Sequence, residues 1–168
     1  SQYTPLSLTQ YGTDNLKVVI GGTGSVCALK ESGEVFCTGE GYALGIQTSY
    51  EYSNPTKIIS AHSTEGKVVD IIGMKDYDAD SGSCAIFESG ATKCWGQNTN
   101  FQQIQSTLTQ FNFYDMRGIL SEDLEVGYQY GCMLVSDTTE LNNGQSLSPE
   151  AGEIVCWGSG SNGKTGLG

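Results

Sequence analysis

The residues Gly158-Ser159-Gly160-Ser161-Asn162-Gly163-Lys164-Thr165 fit G-x-x-x-x-G-K-[ST], the pattern of a phosphate-cradling loop. That chemistry needs a helix next, because its N-terminal amides and dipole hold the phosphates. Only Gly166-Leu167-Gly168 follow, so nucleotide binding is not expected. Asp76, Asp78 and Asp80 present three carboxylates at alternating positions in D-Y-D-A-D-S-G. That spacing suits Ca2+, which collects six to eight oxygens from a tight loop. It is not an EF-hand, since the glycine falls one place late and Phe87 stands where the bidentate Glu belongs. The segment reads as a solvated acidic turn, with calcium, at a subunit contact, as its functional alternative.

Six cysteines and a single histidine, His62, complete the reactive inventory. Zinc knuckles place ligands two to four residues apart. No C-x-x-C occurs here, and one histidine cannot complete a tetrahedral set. Ser–His and Cys–His catalysis lack an oriented partner for His62. Glu122 and Asp123 would serve a glycosidase only if carboxylates faced each other across a cleft. The chain is therefore read as non-enzymatic, and no cofactor is expected apart from the calcium alternative.

The cysteines fit disulfides better. Cys27 and Cys37 bracket C-A-L-K-E-S-G-E-V-F-C, and Cys84 and Cys94 bracket C-A-I-F-E-S-G-A-T-K-C. Each reads as strand, E-S-G turn, strand, with Gly33 and Gly90 free to take positive φ. That register sets the two cysteines of each hairpin opposite one another, close to disulfide range. Gly152-Glu153-Ile154-Val155-Cys156 repeats Gly33-Glu34-Val35-Phe36-Cys37, after an insertion of about fourteen residues from Thr138 to Ala151. The expected pairs are Cys27–Cys37, Cys84–Cys94 and Cys132–Cys156. Three such bonds imply an oxidising, extracellular setting, secreted or at a cell surface.

A longer period runs through these hairpins. Leu16-Lys17-Val18-Val19-Ile20-Gly21 recurs as Lys67-Val68-Val69-Asp70-Ile71-Ile72-Gly73 and as Asp123-Leu124-Glu125-Val126-Gly127. Every hairpin closes on C-x-G, at Cys37-Thr38-Gly39, Cys94-Trp95-Gly96 and Cys156-Trp157-Gly158. Ala43-Leu44-Gly45 and Gly166-Leu167-Gly168 follow the first and third. Gly33 to Gly90 is 57 residues and Gly90 to Gly152 is 62, and periods of this size, each holding several short strands, are those of propeller blades. Trp95 and Trp157 are expected to pack between blades, with sugar stacking as the lesser alternative.

The constellation resembles the repeat of the regulator of chromosome condensation family, a seven-bladed β-propeller. The matching residues are Val18 to Gly22, Cys27-Ala28-Leu29, Ser32-Gly33, Val35, Cys37 and Leu44-Gly45. The cysteines are similar to those of secreted bacterial members. The resemblance implies an all-β fold of three propeller-type blades of short antiparallel strands, one hairpin disulfide per blade. The blades would cover about residues 1–49, 50–107 and 108–168. Chromatin binding is not carried over, because it relies on basic loops.

Composition agrees. The 168 residues hold 8 Lys and Arg against 19 Asp and Glu, a formal net charge of −11. Such a chain repels a phosphate backbone and an anionic membrane surface, so neither is an expected partner. No run approaches the ~18 apolar residues of a membrane span. Glycine, at 23 residues, is roughly twice its usual share and favours turns over helices. The start at Ser1, without Met, is read as that of a processed chain.

Three blades are too few to close a propeller. An open array completed by neighbouring subunits is expected, because head-to-tail contacts between identical chains yield rings or filaments. The expected function is a structural, self-assembling subunit of an extracellular filament or ring, with the chain itself as partner. The expected contacts are Tyr3, Leu6, Leu8 and Tyr11 at one end and Lys164 and Leu167 at the other. The amide-rich stretch from Gln97 to Asn112 supports them. The alternative is an extracellular recognition module that binds a protein or glycan through the loops at Asp76–Gly82 and Thr138–Ala151.

Overall fold

A computed structural model of the chain describes residues 8–22, 24–46, 48–61, 64–73, 82–96, 114–115, 119–127, 130–138 and 149–158. Eleven strands in these residues form three antiparallel sheets. The first sheet is β1 (Asn15–Gly21), β2 (Ser25–Lys30), β3 (Val35–Glu40) and β4 (Glu51–Ile59). The second is β5 (Val68–Gly73), β6 (Gly82–Phe87), β7 (Thr92–Gly96) and β8 (Tyr114–Asp115). β9 (Ile119–Gly127), β10 (Tyr130–Thr138) and β11 (Ile154–Gly158) make the third, with β10 in the middle. The strands are rich in Val, Ile and aromatic residues, which fit a pleated surface. Among the described residues the one helical element is a 3-10 turn at Thr9–Tyr11. The fold is all-β.

The three hairpins share one turn. Lys30, Phe87 and Val135 each donate their N–H to the carbonyl of Glu34, Ala91 and Glu153, at 2.9 Å in every case. Their carbonyls accept from Gly33, Gly90 and Gly152. All three glycines have φ of 84–88°, a left-handed conformation that glycine adopts without steric penalty. The third hairpin thus closes as the other two do despite its longer sequence. Cys27, Cys84 and Cys132 stand opposite Cys37, Cys94 and Cys156. Each pair is disulfide-bonded, with Cα atoms 4.0–4.1 Å apart. Three intramolecular disulfides suit an oxidising environment.

The sheets stack on one another. Leu29, Val35 and Leu44 of the first pack on Ile71, Phe87 and Trp95 of the second. Ile72, Cys84 and Ile86 of the second pack on Leu124, Met133 and Trp157 of the third. Each such side chain contributes about 1.5–3 kcal/mol on burial. Gly45 lies against Trp95, whose Cβ is 3.0 Å from the place a Gly45 Cβ would take. This explains the A-L-G motif: Ala43 and Leu44 fill the core, and the glycine lets the tryptophan approach.

The register amends one repeat assignment. Val19, Ile72 and Glu125 lie opposite the first cysteine of their sheets. Gly73 is therefore the counterpart of Ile20 and Val126, and not of Gly21. A Cβ on Gly73 would fall 2.0 Å from the Ile20 carbonyl oxygen. Close approach of the two inner strands selects the glycine.

Candidate functional site

The first strands of the sheets, β1, β5 and β9, run side by side. They line an open groove of about 500 Å³ with Lys17, Val18 and Ile20, Asp70 and Ile72, and Asp123. Counterpart positions follow from the register. Val18, Ile71 and Leu124 oppose the residue after the first cysteine, and Ile20, Gly73 and Val126 oppose the residue before it.

These counterparts differ sharply in exposure. Ile71 is 0% exposed, Leu124 2% and Val126 1%, each covered by the preceding sheet. No described sheet precedes β1, and there Val18 and Ile20 are 65% and 67% exposed. Alternation along the strand puts both on one face, whereas Leu16 sits in a bulge of β1 and its counterpart Val69 in the second sheet is exposed as well. We term the face of Val18 and Ile20 the head face. The opposite end of the stack mirrors it. Ile154 is 72% exposed, whereas its counterparts Val35 and Thr92 are fully buried against a following sheet. Cys132 and Cys156 are only partly buried there, whereas the other two disulfides are buried between sheets. This is the tail face, and Glu125 and Asp123 stand exposed at its inner edge.

The outer half of the head face is sealed by the chain itself. Tyr11 is buried, donates its hydroxyl to the Val26 carbonyl and shares a 2.9 Å hydrogen bond with the Thr38 hydroxyl. Thr38 holds the position of Trp95 and Trp157, so the tyrosine occupies volume that a tryptophan fills elsewhere. Lys30, at the position of Phe87 and Val135, donates to the Tyr11 carbonyl and to Asp14 Oδ1 at 2.6 Å. It also lies 5.9 Å from the Phe36 ring centroid, a cation–π contact. The inner half, from Leu16 to Ile20, has no such cover.

Three ion pairs shape the acid response. The hydrogen bond from Lys30 holds the Asp14 carboxyl below its ordinary pKa, and Lys57 does the same for Glu34. Lys93, 2.6 Å from Glu65, lowers that carboxyl too. Depressed folded-state values mean stabilisation that is complete above the ordinary carboxylate range and lost as pH falls through the folded values. Thermal melts are expected to hold steady from pH 7 to about 5 and to drop below about pH 4. Lys93→Met should shrink that acid loss. An unchanged acid limb in the variant would show that Glu65 carries none of it.

Other sequence-predicted positions are placed as follows. Leu8 is half-exposed beside the 3-10 turn. Tyr3, Leu6, Lys164 and Leu167 lie outside the described residues, as do Asp76, Asp78, Asp80, His62 and the amide-rich segment. Of the loop from 138 to 151, only 138 and 149–151 are described. Trp95 and Trp157 are buried between sheets and offer no ring face to a sugar. Among the described residues no group of three His, Cys, Asp or Glu side chains is placed to hold a metal ion. Sequence reasoning missed Leu16, Val18, Ile20 and Ile154. The repeat as read from the sequence, with Gly21 set on Gly73, matched Val18 to Asp70, and only the strand register aligns it with both of the buried residues Ile71 and Leu124.

No protein-family model matches the chain, and no curated protein is significantly similar to it. Solved structures are. Prp20p of Saccharomyces cerevisiae, described with its binding to Gsp1p and histones, superposes with a TM-score of 0.65 at 24% identity, over 95% of this chain and 36% of that one. Yeast RCC1 (Prp20) bound to Kap60 gives 0.65 at 11% identity, over 92% and 34%. Human WBSCR16 gives 0.56 at 18% identity, over 83% and 38%. The chain thus spans little more than a third of the length of these structures. At such identities the likeness concerns the fold alone, which is that of an RCC1-like β-propeller.

Proposed function

We propose that the chain is a structural building block of an extracellular assembly, joined head to tail through the two end faces of its sheet stack. One observation carries the reading: a repeat position buried in the second and third sheets, Ile71 and Leu124, is exposed in the first as Val18. Apolar side chains patterned for a sheet-on-sheet contact are present at both ends of the stack. A repeat stack with uncapped ends draws in neighbours. Contacts between unlike faces of identical chains propagate into rings or filaments. The disulfides suit an extracellular setting.

Sedimentation velocity of the non-reduced protein near neutral pH tests this. The expected result is a weight-average mass that climbs with concentration well beyond 17.9 kDa. A single 17.9 kDa species at every concentration up to several hundred micromolar would overturn the proposal and leave a recognition module as the better reading.

A further inference from the structure

We infer that the two end faces are keyed to one another in charge and in register, so that a second copy of this chain docks with its Lys17 against Asp123 and its Asp14 against the turn at Gly152. The inference rests on the self-assembly reading and specifies its junction.

Charge supplies the first argument. Lys17, Asp70 and Asp123 are counterparts on β1, β5 and β9, opposite Leu29, Ile86 and Leu134. Between the first and second sheets this position forms an ion pair, Lys17 Nζ to Asp70 Oδ1 at 2.6 Å. Repeating the same step from the third sheet onto the first sheet of another copy brings Asp123 to that copy's Lys17. The lysine then lies between its own Asp70 and the incoming Asp123. A two-fold contact between like faces does not repeat this step, so it supplies no counterpart of the Lys17–Asp70 pair. Repetition of that pair therefore favours the head-to-tail contact over a two-fold one.

The hairpin turns supply the second. A Cβ on Gly33 would lie 2.7 Å from Lys67 Cβ, and one on Gly90 would lie 2.9 Å from Leu120 Cβ. Lys67 sits immediately before β5 and Leu120 near the start of β9, the inner strands of the next sheets. The Gly90 carbonyl also accepts from the Ser121 N–H at 2.7 Å. A Cβ on Gly152 would meet no described atom within 4 Å. The position matching Lys67 and Leu120 in the first sheet is Asp14. The Asp14 carbonyl accepts from Glu31 as the Lys67 carbonyl accepts from Glu88. Gly152 is thus a turn built for a seat, and a second copy carries that seat at Asp14, already fixed by Lys30.

Charge reversal tests the junction. Lys17→Glu gives a chain with a mismatched head, and Asp123→Lys gives one with a mismatched tail. Each alone is expected to need about ten-fold more protein for half-assembly, since close interfacial charge pairs are coupled by more than ~1.4 kcal/mol. Mixed in equal amounts, the two variants regain matched junctions and are expected to co-assemble near the wild-type concentration. Asp123→Asn keeps an oxygen for the Leu124 N–H, which Asp123 Oδ1 now accepts at 2.8 Å, and is expected to weaken assembly less. Wild-type-like assembly of both single reversals, or a mixture no better than either, would overturn the register while leaving self-assembly standing. A monomeric wild-type protein would instead remove the reading on which the register rests.

Discussion

Trp95→Ala is expected to lower the unfolding free energy by about 3–5 kcal/mol, the range for emptying a fully buried aromatic site. The indole is 1% exposed and lies in the core shared by the first and second sheets. Gly45 is held against it closely enough that the loop carrying Ala43 and Leu44 depends on its volume. Removal would leave those side chains without a partner on one side. A domain of this size is stable by only about 5–15 kcal/mol, so the variant should melt roughly 10 °C lower, at ~2–4 °C per kcal/mol. Guanidinium unfolding of the non-reduced protein gives the number. A loss under ~1 kcal/mol would show that the sheets do not pack through this tryptophan.

The second large effect is a contrast between equivalent residues. Ile71→Asp buries a carboxylate between two sheets, where it has no partner. The expected cost exceeds ~4 kcal/mol, enough to abolish cooperative folding. Val18→Asp places the same group at the same point of the repeat, on a surface 65% exposed. Its stability should stay within ~0.5 kcal/mol of wild type, while assembly is lost. The pair separates folding from association by position alone. Comparable destabilisation by both would mean that the head face is covered within a single chain, and stacking between copies would then have no face to use.

What the sequence disclosed and what it withheld follow from how local the governing physics is. Hairpin register, the three disulfides and the turn glycines rest on contacts within about ten residues, and spacing reports such contacts. The propeller-like architecture was legible because the unit recurs. Contacts between sheets were not. Gly73 looked like the partner of Gly21 until the approach of the Ile20 carbonyl showed which strand position demands a glycine. Tyr11 was expected at a subunit contact, whereas its hydroxyl bridges Val26 and Thr38 of its own chain. That role depends on the small Thr38 standing where the other sheets carry tryptophan. The exposure of Val18 was equally hidden, because an apolar residue on a strand reads the same whether or not another sheet lies upon it. The expected terminal contacts at Tyr3, Leu6, Lys164 and Leu167, and the acidic loop at Asp76, Asp78 and Asp80, lie outside the described residues.

The central claim is that the end faces meet between copies, and electron cryomicroscopy of the non-reduced protein at high concentration tests it most directly. The account predicts rings or filaments in which β9 of one copy lies beside β1 of the next, with Val18 and Ile20 covered and Asp123 within ion-pair distance of Lys17. Discrete single chains, or particles joined through other surfaces with those two side chains still in solvent, would contradict it.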